Sequence, residues 1–153
     1  MNRVFIKGGK IVNSKESFVA DILIEDEKIS KVFKNGEIAK LDEDTKVVDA
    51  SGKLIFPGFI DAHTHFDLHV AGTVTCDDFY SGTRAAISGG TTTIIDFGTQ
   101  YKGETLNEGM DNWLEKAKDG VFCDYGIHMS ISDWNEEAKE ECQDMMDRGV
   151  TTF

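Results

Sequence analysis

The sequence predicts an α/β chain: the N-terminal part of a metal-dependent (β/α)8 barrel, preceded by strands of a small β-sandwich domain. Three observations carry this. After residue 53 closely spaced hairpin strands give way to strand-then-helix units, three complete and a fourth begun. The first of these strands lies in LIFPGFIDAHTHFD (residues 54–67) and ends in Asp61, His63 and His65 at alternate positions. The glycine-rich phosphate fingerprint of a dinucleotide-binding sheet is missing after that strand. A doubly wound sheet and a barrel share the same periodicity. Metal-type ligands at a strand end favour the barrel, whose active sites sit at the carboxyl ends of its strands.

Residues 1–53 read as the sandwich. Val4, Phe5 and Ile6 lead to Gly8-Gly9, then Ile11-Val12 and a polar turn at Asn13 to Glu16. Phe18 to Glu25 alternate with a period of two. Glu25 to Lys28 form a charged hairpin turn, with Ile29, Val32 and Phe33 beyond it, and Asn35-Gly36 is a second turn signal. Val47 and Val48 add one short strand. A sheet of this size has a thin core, so further strands from elsewhere in the chain are expected to complete it.

Residues 54–153 read as three βα units and the start of a fourth strand. Thr75 and Asp78 have the spacing of an acidic capping box opening the first helix, and Gly89-Gly90 stops it. Thr91 to Phe97 is β-branched and apolar, as in a buried parallel strand. Thr105 and Glu108 cap a second helix with the stripe Leu106, Met110, Trp113, Leu114 and Ala117. A third strand runs from Tyr125 to Ile131 and carries His128, read as a core or supporting histidine. Asp133 and Glu136 fit a cap for a third helix, with the stripe Trp134, Ala138, Cys142, Met145 and Met146. Val150 to Phe153 begin the fourth strand. The Trp and Met stripes read as faces packed on the sheet.

Composition excludes several classes. Of 153 residues 40% are hydrophobic and 29% charged, as in a soluble globular protein. The net charge of −12 argues against nucleic acid or an anionic membrane as partner. Cys76, Cys123 and Cys142 are odd in number and far apart, which argues against a disulfide framework and fits a reducing cytoplasm. No secretory h-region and no run approaching about 20 apolar residues is evident.

A bare His-x-His pair can arise by chance among four histidines. Here an apolar strand precedes the pair, an aspartate shares its parity, and a polar loop follows. Side chains two apart on a strand share a face and rise about 6.5 Å per pair. His63 and His65 can therefore converge on one point, with Asp61 one layer deeper, and neutral imidazoles suit zinc.

These residues resemble the dihydropyrimidinase/D-hydantoinase family of the amidohydrolase superfamily. VFIKGGKIV and ADILIEDEKISKV are similar to its sandwich strands, PGFIDAHTHFD to its first barrel strand, and GTVTCDDFYSGTRAAISGGTTTIIDF to the helix and strand that follow. The resemblance implies hydrolysis of a dihydropyrimidine or hydantoin ring to an N-carbamoyl amino acid by a metal-bridging hydroxide. It implies two divalent metal ions, Zn2+ by preference, with His63 and His65 as ligands of the more buried one and Asp61 as their support. Leu68 and Val70 match a loop lining the substrate pocket, although His69 and Val70 depart from the Pro and Phe expected there. The bridging carboxylated lysine and the proton-shuttle aspartate are expected beyond Phe153. The chain is then a piece of a larger protein, cut there or interrupted at a modified lysine. The resemblance further implies a small cyclic ureide as substrate and a cytoplasmic homo-oligomer, a tetramer. An allantoinase or dihydroorotase, or a non-catalytic scaffold homologue, are the alternatives. No arginine lies in the loop after His65 to meet the carboxylate of dihydroorotate, which counts against that option. The 153-residue piece alone is expected to be inactive, and ring opening by the purified fragment would refute the domain assignment.

Overall fold

The computed structural model describes residues 2–34, 37 and 39–153. The Asn35-Gly36 turn signal lies outside them. The chain forms two compact units, Met1–Pro57 and Gly58–Phe153.

The first unit is one mixed sheet of five strands: β1 (Arg3–Val12), β2 (Ser17–Glu25), β3 (Lys28–Phe33), β4 (Lys46–Asp49) and β5 (Leu54–Ile55). Their order is β3-β2-β1-β4, with β5 also on β1. The Asn13 side chain closes the β1–β2 turn by accepting from the N–H groups of Lys15 and Glu16. Asp26 and Glu27 form the two-residue β2–β3 turn, with Asp26 at φ +55°.

Three sequence expectations change here. The Gly8-Gly9 pair does not end a strand, because β1 runs through it with a bulge between Ile6 and Gly9. β4 and β5 pair with β1 in parallel rather than as hairpins. Leu54 and Ile55 thus belong to this sheet, and the unit boundary falls at Pro57/Gly58 instead of 53/54. Among the described residues the unit is a single layer, and the expected strands that would complete a sandwich are not among them. Its core is thin, Phe5, Leu23 and Phe33 with Ala39 beside them, while Val19, Ile29 and Val47 stay largely exposed.

The second unit alternates strand and helix: β6 (Phe59–Thr64), the short hairpin β7 (His69–Val70) and β8 (Thr73–Val74), α1 (Phe79–Ser88), β9 (Thr91–Thr99), α2 (Leu106–Ala117), β10 (Asp124–Ser130) and α3 (Glu136–Asp147). β6, β9 and β10 form a parallel sheet with β9 in the middle. The helices bury one side of it. Phe79, Leu106, Met110, Trp113, Ala117, Ala138 and Met145 cluster with Ile94, Ile127 and Met129 of the strands. The α2 stripe is as its periodicity predicts. On α3, Ala138 and Met145 are buried, but Trp134 precedes the helix and is exposed, as is half of Met146. Cys123 and Cys142 pack at the edge of this core, and burial pushes the Cys123 thiol up. Val150 is buried, but residues 151–153 form no ladder. The Thr152 carbonyl accepts the Met129 N–H, at 3.1 Å.

The caps show where local chemistry decides. The Thr105/Glu108 box opens α2 as read. α1 begins three residues later than expected, on a reciprocal box between Asp78 and Ser81. Hydrogen bonds from the Ser81 backbone and hydroxyl hold the Asp78 carboxyl below its ordinary value of 3.8. This cap therefore contributes fully above that value and is lost as pH falls through the lower folded one. Thr75 instead accepts the Leu68 N–H at 2.9 Å. α3 is capped by Asn135, not Asp133. Glu141 of α3 accepts from the Leu106 and Asn107 N–H groups at the start of α2, at 2.6 and 3.3 Å, and so fixes the helix pair.

Gly82 is buried in the middle of α1, where glycine costs about 1 kcal/mol relative to alanine. The reason is Phe66. A Cβ at Gly82 would lie 2.2 Å from its ring, which stacks edge-on against Phe79. Gly82→Ala is expected to destabilise the protein by about 1–3 kcal/mol by overpacking, despite its better helix propensity; urea unfolding measures this, and increased stability would contradict the contact.

Candidate metal centre

β6 begins where the Phe59 N–H meets the Gly90 carbonyl at 3.0 Å. After a first register shift between Phe59 and Ile60 it pairs with β9 at Asp61, opposite Ile94, and again at Thr64, opposite Asp96. Two residues of β6, Ala62 and His63, thus face one of β9, a bulge of the kind that re-aims side chains beside functional sites. Strict alternation, which would put Asp61, His63 and His65 on one face, does not hold across it. The Asp61 carboxylate turns back onto the strand and accepts the His63 N–H at 3.2 Å. The Ala62 carbonyl contacts His128 Nε2 of β10 at 3.1 Å, and His128 Nδ1 contacts the Thr152 hydroxyl.

Beyond the bulge His63 and His65 converge. Their Nε2 atoms are 3.2 Å apart, and the rings meet edge to face. Two nitrogens each about 2.0–2.1 Å from one tetrahedral ion would stand about 3.3 Å apart. The pair has the span of one edge of such a coordination sphere, and both residues are exposed. Phe97 of β9 supports them, its ring 4.5 Å from that of His63 and 5.0 Å from that of His65. His128 packs on the same ring at 4.8 Å. Among the described residues no group of three or more His, Cys, Asp or Glu side chains forms a metal site. The two histidines fit a metal ion, as part of its ligand set.

The strand end is held from the other face by Asp96, which sequence reasoning missed. No part of this residue is exposed. Its Oδ2 accepts the Thr64 hydroxyl at 2.8 Å and the Phe66 N–H at 3.0 Å, and its Oδ1 accepts the Trp113 indole N–H at 2.8 Å. The available signal was a lone carboxylate between Ile94, Ile95 and Phe97, in a strand read as buried on both faces. Beyond it Lys116 of α2 donates to the Asp67 carbonyl at 2.7 Å and lies 3.3 Å from its carboxylate.

The loop expected to line a pocket is a closed hairpin. Leu68 and Thr75 bond across its base, and Ala71 and Gly72, both at positive φ, turn its tip. Leu68 packs against the hydrophobic core of the unit, and Val70 is half exposed on β7.

A family model described as the amidohydrolase family matches residues 54–152. The chain is 42% identical to a D-hydantoinase of Streptomyces coelicolor over 99% of its own length and 33% of the relative's. It is 44% identical to a dihydropyrimidinase of Dictyostelium discoideum over 98% of its length and 29% of the relative's. A crystal structure of a D-hydantoinase superposes with a TM-score of 0.87 at 43% identity, covering 97% of this chain and 32% of that one. The chain spans about a third of the length of these relatives. With the match over residues 54–152, and a histidine pair spaced for one metal ion at the end of a parallel strand, the chain belongs to the amidohydrolase family.

Proposed function

We propose that the protein hydrolyses a cyclic amide, a dihydropyrimidine or hydantoin ring, to an N-carbamoyl amino acid. The 3.2 Å approach of His63 and His65 Nε2 carries the reading. The names of the relatives, D-hydantoinase and dihydropyrimidinase, support the choice of ring. The three βα units are then the first part of a (β/α)8 barrel, and the five-stranded sheet is part of a β-sandwich.

In this reading His63 and His65 hold the more buried of two divalent ions, Zn2+ by preference, through neutral imidazoles and transfer no proton themselves. Bound there, the metal pair supplies activation of water and polarisation of the ring carbonyl. Asp61 steadies the His63 backbone, Phe97 limits how far either ring can tilt, and His128 holds the carbonyl between Asp61 and His63. The Leu68–Val70 segment fixes the base of a hairpin flanking the substrate. A carboxylated lysine and the proton-shuttle aspartate are expected from sequence beyond this chain. The setting is a cytoplasmic homo-oligomer acting on a small cyclic ureide, with neither nucleic acid nor membrane as partner. No helix among the described residues is long and apolar enough to cross a membrane.

Turnover of dihydrouracil, hydantoin, allantoin and dihydroorotate by the full-length protein tests the substrate. Opening of dihydrouracil or hydantoin is expected, and exclusive opening of allantoin or dihydroorotate would move the protein to another branch of ring-opening enzymes. Less than one metal equivalent per chain with no turnover would leave the scaffold reading. His63→Asn and His65→Asn should each weaken metal binding by at least about 100-fold, beyond the 10–100-fold typical of residues that only support a ligand. Metal analysis after dialysis against a chelator checks this.

A further inference from the structure

His65 lies between the two residues that Asp96 holds. The Thr64 hydroxyl and the Phe66 N–H both donate to Oδ2 of this wholly buried carboxylate, at 2.8 and 3.0 Å. The opposite side of the same strand step is fixed by Phe97, the next residue on β9, against which both imidazoles pack. One dipeptide, Asp96-Phe97, thus governs the backbone and the rings of the histidine pair from opposite faces of the sheet. The remaining carboxylate oxygen accepts the Trp113 indole N–H at 2.8 Å. Lys116, one helical turn further on, holds the Asp67 carbonyl at 2.7 Å and sits over the Trp113 ring. Helix α2 therefore grips the end of the metal-bearing strand at two places, once through Asp96 and once directly.

A buried carboxylate is costly unless each oxygen finds donors. Here the donors come from two separate segments, residues 64–66 and α2, so the carboxylate is satisfied only while Thr64, Phe66 and Trp113 keep their mutual positions. Neutral packing would serve a merely structural strand, and an apolar residue is the usual occupant of this position in a parallel sheet.

We propose that Asp96 is a positioning residue of the metal seat: it sets the approach of His65 to His63 and ties it to α2 through Trp113. The proposal rests on the reading of the histidine pair as metal ligands.

The test uses the full-length protein with Asp96→Asn, Thr64→Val and Trp113→Phe, and Met110→Ala as a core control on the same helix. Zn2+ affinity is measured by chelator competition, and the geometry of the seat by the visible spectrum of the Co2+-substituted protein. Asp96→Asn is expected to weaken Zn2+ binding by about 10–100-fold and to change the Co2+ spectrum, as for other groups that orient a ligand. Thr64→Val and Trp113→Phe, each removing one donor, should shift both readouts in the same direction by less. Met110→Ala should lower stability and leave both unchanged. If Asp96→Asn does not fold, Thr64→Val and Trp113→Phe decide. Wild-type affinity and spectrum in those folded variants overturn the proposal. A wild-type protein that holds no metal, with no change on His63→Asn, overturns the metal reading itself and this proposal with it.

Discussion

A carboxylate with no exposed surface constrains everything around it. Asp96 sits in the middle strand of the parallel sheet, where removal of an ion from water costs several kcal/mol unless hydrogen bonds replace the lost solvation. Thr64, Phe66 and Trp113 provide them, and these residues belong to β6, the loop after it, and α2. Strand pairing, helix docking and loop entry are thus settled at one point. The bulge in β6 follows the same logic. It lets Thr64 reach Asp96 on the helix side while the residues on either side, His63 and His65, present their rings toward Phe97 on the other.

Much of the fold was legible because its signals are local and periodic. The α2 stripe and the Thr105/Glu108 box needed only spacing, and both appear as read. The β-branched run marked β9 as a buried strand, and the structure buries fully only its helix-facing positions from Ile94 on. Errors arose where one local signal competed with another. Thr75 has capping-box spacing, but its hydroxyl serves the base of the hairpin, leaving Asp78 and Ser81 to cap α1. Asp133 has the right partner at 136 but yields to Asn135, because its backbone is engaged with Gln100. Leu54 and Ile55 are apolar enough for either unit, and pairing with β1, a long-range event, assigns them to the first.

The site was legible to a similar depth. The spacing of His63 and His65 on an apolar strand predicts that their rings converge, and the 3.2 Å approach of the two Nε2 atoms shows that they do. No such spacing marks the residues that aim them. Asp96 and Phe97 lie 30 or more positions away in sequence, and their contacts with the pair exist only once β6 and β9 are adjacent. Alternation also misplaced Asp61, because a bulge is a defect in periodicity that periodicity cannot reveal. Instead of lining up beneath the histidines, its carboxylate holds the backbone of one of them.

The hairpin between the histidines and α1 has a consequence of another kind. Its stem is pinned twice, by the paired bonds between Leu68 and Thr75 and by the Asp67 N–H on the Asp77 carbonyl. Its tip is a self-contained two-residue turn at Ala71-Gly72, projecting into solvent. Residues 69–74 can therefore change in length and composition without transmitting strain to the strand that bears the ligands. The hairpin is a cassette: its exposed tip can be exchanged while the strand before it and the helix after it keep their places.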